Sequence, residues 1–137
     1  MFFSLSFFLV RPLTVRITNE RKALSADKES VVTCISSGSR PPATITWWLG
    51  SKRLKQAQEQ VSIDGNVTTS RLTMRATIDD LGAELTCRAE NAHISGSAIE
   101  DTIKLDINCK CLSCFSFLFF CFCNIFCFFS HFLKVVI

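Results

Sequence analysis

The sequence predicts an all-β fold in which two sheets pack face to face, and three observations lead to this prediction. Short segments of alternating apolar and polar residues recur between positions 13 and 107, without the spacing of an amphipathic helix. Turn-forming residues separate these segments at regular intervals. Cys34 and Cys87 lie 53 residues apart, with Trp47 between them. We therefore expect a disulfide that joins the two sheets, with the indole of Trp47 packed beside it.

The alternation also assigns side chains to the two faces of each strand. In the strand expected at 43–49, Trp47 falls on the inward face and Trp48 on the outward face. Leu85 lies on the inward face of another strand, two residues before Cys87. The sequence therefore predicts Trp47 and Leu85 as core residues and Trp48 as a residue of the outer surface.

Composition divides the chain of 137 residues into three parts. All 13 phenylalanines lie in residues 1–8 or 115–132, whereas all 12 acidic residues lie between these two segments. We expect a single immunoglobulin-like sandwich at 11–108, because its length and its Cys, Trp, Cys order are typical of that fold. An apolar flank at 1–10 and an apolar tail rich in Phe and Cys at 109–137 surround it. The near-neutral central part lacks the strongly basic face of a nucleic-acid-binding protein.

The first part of the domain contains three predicted strands and a proline-rich loop. Alternating residues predict a half-buried strand at 13–17, and a second strand is expected at 29–36 after the polar, turn-like segment 19–28. The loop Arg40-Pro41-Pro42, called the proline rim below, precedes the strand at 43–49. Its two prolines fix an extended backbone.

The second part of the domain begins with two short edge strands at 52–55 and 58–63, which charged residues keep soluble. Asp64-Gly65 is typical of a hairpin turn. The remaining predicted elements are, in order, a strand at 67–74, an Asp80-x-Gly82 corner, the strand of Cys87, a loop at 91–97 and a last strand at 103–107.

Three motifs resemble those of the sidestep, nephrin and nectin-like adhesion receptors of the immunoglobulin superfamily. They are the segments 36–48, 64–70 and 85–91, and the whole resemblance covers about residues 12–108. The strongest likeness is to sidestep, a receptor-ligand of axon guidance. The resemblance implies a constant-like set of strands and recognition of a cell-surface protein, in particular another immunoglobulin-superfamily receptor.

The chain departs from the usual immunoglobulin pattern at Leu85. Many such domains have a tyrosine two residues before the second cysteine, whose hydroxyl bonds back to the corner before that strand. This chain contains no tyrosine, so the tyrosine-corner hydrogen bond must be missing. We expect this corner to be held instead by packing or by the turn at Asp80.

The candidate contact surface consists of Trp48 and the proline rim, Arg40, Pro41 and Pro42. Tryptophan and arginine are frequent hot spots in protein interfaces, and an exposed indole calls for a covering partner. Two alternatives stay open at this point. In the first, Trp48 packs beneath the Lys52–Lys55 edge instead of contacting a partner. In the second, the prolines serve only to stiffen the loop.

Other motifs point to a modification rather than to catalysis. Asn66-Val67-Thr68 is the only N-x-[ST] sequon, and its position after a turn favours a surface glycan, the alternative being a plain turn asparagine. The sequence shows no catalytic triad, no carboxylate pair in a glycine-rich cleft and no phosphate-binding loop. We expect a non-enzymatic protein that needs neither a cofactor nor a metal.

The flank at 1–10 and the tail allow different interpretations. Residues 1–10 form a poor signal peptide, without a basic start or a cleavage site. The stretch 111–133 carries no formal charge and is long enough to span a membrane as a helix. The Cys109-x-Cys111-x-x-Cys114 pattern invites a metal, but no histidine pair completes a tetrahedral set.

Both flanks also resemble translated non-coding sequence. Phe, Cys, Ser and Leu have pyrimidine-rich codons. The codons for Leu9-Val10 can contain a splice-acceptor sequence, and the codons for Cys109-Lys110-Cys111 can contain a splice-donor sequence. Both boundaries then fall after the first base of a codon, so the two splice sites have the same phase.

Three hypotheses follow for the function of the chain. The first is an extracellular recognition module, one domain of a larger sidestep-like guidance receptor. The second is a gene-model fragment without independent function. The third is a single-domain decoy, anchored in the cell membrane by 111–133, that binds the ligand of the parent receptor.

Overall fold

Alternating apolar side chains build two facing four-stranded sheets. The computed structural model describes residues 8–18 and 23–108. Within these residues the strands are β1 (Thr14–Ile17), β2 (Leu24–Ser25), β3 (Glu29–Ser37), β4 (Thr44–Leu49), β5 (Lys52–Leu54), β6 (Ala57–Val61), β7 (Val67–Arg75), β8 (Glu84–Glu90), β9 (Ile99–Lys104) and β10 (Ile107–Asn108).

The strand order defines two antiparallel sheets, which confirms the predicted all-β sandwich. The first sheet has the order β1-β3-β7-β6 and the second has the order β5-β4-β8-β9. A short 3-10 turn, Ile78–Asp80, connects β7 to β8 across the two sheets. The smaller pair β10-β2 is parallel.

The core lies between the inward faces of the two sheets, and a disulfide crosses it. Cys34 on β3 and Cys87 on β8 form this bond, with their Cα atoms 6.5 Å apart. Trp47 on β4 pairs with Cys87 in the register and is 1% exposed. Its Nε1–H donates to the Oγ of Ser70, 2.9 Å away, so the buried indole has a hydrogen-bond acceptor. Leu85 is fully buried.

The first strand differs from the prediction at its start. The alternation predicts Leu13 as an inward residue, but β1 begins at Thr14 and Leu13 is 68% exposed. Its side chain lies over Gly38, where a Cβ would come within 2.7 Å of the Leu13 Cδ1. Gly38 also has a φ of +88°, which L residues rarely adopt. Leu13 therefore covers a turn rather than the core.

The last strand is divided in two, and a short strand was missed. The predicted strand at 103–107 is interrupted at Leu105, whose N–H donates to the Ala83 carbonyl and whose carbonyl accepts from Gly82. The backbone of Leu105 bonds to the corner between β7 and β8, at Gly82 and Ala83. The chain therefore turns away from β8 there, and β10 forms as a separate strand. β10 pairs with β2, inside the segment that the sequence indicated as turn-like.

Candidate recognition surfaces

The outer side of the second sheet presents Trp48 among polar side chains. Trp48 is half-buried, and its Nε1–H donates to the Oγ1 of Thr46 at 3.3 Å. Thr86 on β8 and Arg53 on β5 lie opposite it in the register. The indole therefore rests between two neighbouring strands with part of its surface open to solvent. Arg53 is thus the residue of the Lys52–Lys55 edge that lies opposite Trp48, and packing of the indole beneath this edge stays an alternative to a contact role.

Polar groups order the surroundings of this indole. Arg88 on β8 forms ion pairs with Glu90, at 3.3 Å, and with Glu100 on β9, at 3.4 Å. The hydroxyls of Thr86 and Thr102 lie 2.9 Å apart. Exposed ion pairs contribute only about 0–1 kcal/mol to stability, so their main effect here is to orient side chains. We call this surface, Thr46, Trp48, Thr86, Arg88, Glu100 and Thr102, the Trp48 face.

The proline rim lies at one end of the sandwich and is held from beneath by Asn91. Arg40 and Pro42 are exposed, Pro41 is half-buried, and the Arg40–Pro41 peptide bond is cis. The Nδ2 of Asn91 donates to the carbonyl of Arg40 at 2.9 Å and to that of Val10 at 3.0 Å. Since Asn91 is 1% exposed, these bonds form away from water. The rim backbone is therefore fixed.

Asn91 is a residue that the sequence reasoning missed, although a signal was present. It continues the inward alternation of Leu85, Cys87 and Ala89 by one more step, but it follows the end of β8 and lies in a predicted loop. Its remaining groups are also bonded. The backbone N–H donates to the Oγ of Ser97 at 2.9 Å, and the Oδ1 accepts from the His93 N–H at 3.0 Å.

The structure does not bring Trp48 and Arg40 into contact. Trp48 lies four residues along β4 from Thr44, which corresponds to about 13 Å of strand. The rim and the indole are thus two separate surfaces, and the rim lies beside the hairpin of β6 and β7, where Pro42 is close to Gly65.

The hairpin between β6 and β7 carries the sequon. The Gly65 N–H donates to the Ser62 carbonyl at 2.9 Å, which closes the turn. The carboxylate of Asp64 accepts from the hydroxyl of Ser62 and from the Asn66 N–H at 3.1 Å. These hydrogen bonds hold the pKa of Asp64 below its ordinary value of 3.8. Asn66 is half-exposed at the end of this turn.

Comparison with known families agrees with this geometry. Residues 9–98 match the family described as the CD80-like C2-set immunoglobulin domain. The chain belongs to this family. Among known structures, Rst D1-D2 superimposes with a TM-score of 0.64 at 22% identity, covering 73% of this chain and 51% of that one. The full ectodomain of mouse nectin-like molecule 4 gives 0.56 at 24% identity, covering 74% and 34%. Both likenesses concern the fold.

Curated relatives of this C2-set domain include cell adhesion molecules and nephrins. Cell adhesion molecule 3 of Xenopus laevis is 30% identical over 103 residues, which cover 72% of this chain and 26% of the relative. Nephrin of Mus musculus is 27% identical over 108 residues, covering 71% of this chain and 9% of nephrin. The chain therefore spans about a quarter or less of these relatives. The predicted resemblance to nephrin and to nectin-like receptors is confirmed.

The corner without tyrosine is held in both of the expected ways. Leu85 is fully buried, and the Oδ2 of Asp80 accepts from the Thr77 N–H at 2.9 Å and from its hydroxyl at 3.2 Å. The C2-set domain thus replaces the tyrosine-corner hydrogen bond by a capping interaction in the preceding turn and a packed leucine.

Other predicted features of the C2-set chain fall outside the described residues. These are most of the flank at 1–10, the stretch 111–133 and the cysteine pattern that begins at Cys109. Among residues 8–18 and 23–108, no helix has the length and apolarity needed to cross a membrane. The same residues contain no cluster of His, Cys, Asp and Glu suited to a metal ion.

Proposed function

We propose that this C2-set domain is a non-enzymatic module of cell adhesion that recognises another immunoglobulin-superfamily receptor at a cell surface. In this proposal the domain is extracellular and forms part of a larger, sidestep-like guidance receptor, held in the cell membrane by 111–133 if that segment is coding. The names of the relatives support adhesion in general. They say nothing of the guidance role or of the individual ligand.

The observation that carries the proposal is the Trp48 face. A half-buried indole at its centre, surrounded by threonine hydroxyls and by the Arg88 ion pairs, has the anatomy of a protein interface, with an apolar centre and a polar margin. Trp48 is already ordered by its bond to Thr46 and by its neighbours on β5 and β8. Binding through it therefore requires little loss of side-chain entropy.

The proline rim supports the same role at the end of the domain. Asn91 and Ser39 hold its backbone, and the Ser39 Oγ donates to the Pro41 carbonyl at 2.7 Å. Arg40 remains exposed on this fixed backbone, so its guanidinium is available to a carboxylate of a partner. A fixed loop and an ordered strand face together form a pre-organised surface.

A binding screen with a double variant tests this proposal. The chain is displayed on cells and probed with a panel of soluble immunoglobulin-superfamily ectodomains. Trp48→Ser with Arg40→Glu should reduce binding of the recognised ectodomain by at least tenfold, since loss of one hot spot costs 2 kcal/mol or more.

A matched control lies on the outer side of the opposite sheet. Val31 is 50% exposed on β3, and Arg71 is exposed on β7. Val31→Ser with Arg71→Glu makes the same kind of changes and should leave binding unaltered. If the folded Trp48 and Arg40 variant binds as well as the parent chain, or if the control loses binding equally, the Trp48 face is not the recognition surface.

A further inference from the structure

The hairpin that carries Asn66 fixes the backbone of this residue, while the described part of the chain gives its side chain no hydrogen bond. The Asn66 N–H donates to Asp64 at 3.1 Å, and its carbonyl accepts from the Gly38 N–H at 3.0 Å. Among the hydrogen bonds of residues 8–18 and 23–108, none involves the side-chain amide of Asn66. This amide is therefore held in place by its backbone and open to modification.

The same hairpin exposes an isoleucine that nothing in the described part of the chain covers. Ile63 occupies the second position of the closed turn from Ser62 to Gly65, and its relative exposure is 110%. A single exposed apolar side chain is common on protein surfaces, but the full exposure of Ile63 leaves its methyl groups free to contact a neighbouring group. Ile63 and Asn66 are three positions apart in the chain, so their Cα atoms lie at most about 10 Å apart.

We propose that Asn66 carries an N-linked glycan whose innermost sugar lies over Ile63. The inference rests on the extracellular location in the proposed function, because the donor is a lipid-pyrophosphate-linked oligosaccharide of the secretory pathway. In the transfer, the Nδ2 of Asn66 forms a bond to C1 of the first N-acetylglucosamine and loses one proton to a base. The bond from C1 to the pyrophosphate oxygen breaks, and the lipid pyrophosphate leaves with the electron pair.

The burial of Thr68 places this transfer before folding. The transferase recognises the hydroxyl at the third sequon position, and Thr68 is 2% exposed in β7. The sequon must therefore be read on the extended chain as it emerges into the lumen. Once the domain has folded, the fixed turn presents the glycan on solvent, where a bulky and soluble group is tolerated.

The position of the glycan leaves the Trp48 face open but is close to the proline rim, since a Cβ at Gly65 would lie 3.7 Å from Pro42. Asn66 belongs to the hairpin of β6 and β7 in the first sheet, whereas Trp48 lies on the outer side of the second sheet. The glycan covers the apolar tip of the hairpin and leaves the indole open.

Cell-free translation with microsomes tests occupancy of the site. The full chain, preceded by an added cleavable signal peptide, should show one endoglycosidase-sensitive mass shift. Asn66→Gln and Thr68→Val should abolish the shift, whereas Thr68→Ser should retain it. The absence of a shift in the parent chain, or a shift that persists in Asn66→Gln, would overturn the proposal. Because the added signal delivers the chain to the lumen, this result is independent of the binding screen.

Nuclear Overhauser spectroscopy tests the contact with Ile63. The glycosylated full chain, kept in solution with detergent, should show a contact between the N-acetyl methyl of the first sugar and the Ile63 methyl groups. A glycosylated chain without this contact would overturn the covering role of the sugar. Ile63→Ser identifies the signal, since it removes these methyl groups and leaves the sequon intact.

Discussion

Trp47 and Trp48 show how one step along a strand decides the role of a residue. They are the same residue type and are adjacent in β4, but successive side chains of a strand point to opposite faces. One indole therefore lies in the core and the other lies on the outer surface. Trp47 is enclosed and bonded to Ser70, whereas Trp48 keeps part of its surface in water. The difference in environment should appear as a difference in stability.

We expect Trp47→Ala to destabilise the domain by about 3–5 kcal/mol, because it leaves a cavity and an unpaired Ser70 hydroxyl. Trp48→Ala should cost much less, because solvent already reaches its indole. Denaturant unfolding of both variants measures the two free energies of unfolding. Equal losses, or a larger loss for Trp48→Ala, would contradict the assignment of the faces.

Single residues were predictable where the alternation alone decided them. Leu72, Met74 and Trp47 are buried as their parity predicts. The alternation also predicts Leu13 as an inward residue of its strand. Leu13 lies before the start of β1, however, and covers a turn instead of the core. Asn91 is the converse case, a polar residue whose burial depends on three loop carbonyls that only the folded chain brings together.

At the scale of elements, carboxylates bond to backbone N–H groups of the facing sheet on both sides of the sandwich. The Oδ2 of Asp101 on β9 accepts from the Ile17 N–H of β1 at 2.8 Å. On the other side, the Glu59 carboxylate of β6 accepts from the Ile45 N–H of β4. An unpaired N–H in these strands is costly when water is excluded. The two carboxylates therefore join the sheets at their edges.

We expect Asp101→Ala to cost about 1–3 kcal/mol, because it leaves the Ile17 N–H without an acceptor. Hydrogen exchange should accelerate at the Ile17 amide more than at amides of β7. Glu100→Ala is the matched control, since Glu100 precedes Asp101 on β9 and pairs with the exposed Arg88 at the surface. Equal exchange of Ile17 in both variants would show that the carboxylate is dispensable.

The long strands were predictable from sequence, whereas the shortest ones were not. β3, β7 and β8 each contain several alternations, so their positions follow from periodicity. β2 and β10 have two residues each and no period to detect. Their pairing depends on the hydrogen bonds between the backbone of Leu105 and the corner before β8. These bonds join residues far apart in the sequence, so local periodicity does not predict them.

At the scale of the whole molecule, one covalent bond joins two sheets that also meet through packing, the Trp47–Ser70 hydrogen bond and the edge carboxylates. The Cys34–Cys87 bond closes a loop of 53 residues, which includes all of β4 to β7 and the hairpin between β6 and β7. Restricting that loop in the unfolded chain corresponds to about 4 kcal/mol in the loop-entropy model. Domains of this size have a total stability of about 5–15 kcal/mol, so this is a large share.

We therefore expect the double variant Cys34→Ala with Cys87→Ala to unfold at much lower denaturant concentration, with a loss of about 4 kcal/mol. Ser36→Ala is the control on the same inward face of β3. The Ser36 Oγ is buried without a hydrogen-bond partner in the described part of the chain, so its removal should be neutral or stabilising. A double cysteine variant as stable as the parent would mean that packing alone holds the sheets.

The positions of the two indoles also determine what the intrinsic fluorescence of this molecule measures. The chain contains two tryptophans and no tyrosine, so its ultraviolet fluorescence comes almost entirely from Trp47 and Trp48. Trp47 pairs with Cys87 in the register, and a neighbouring disulfide quenches indole emission by electron transfer. In the oxidised native state the remaining emission therefore belongs mainly to Trp48. Trp48 is thus also an intrinsic fluorescent probe, because its emission depends on whether a partner covers the Trp48 face.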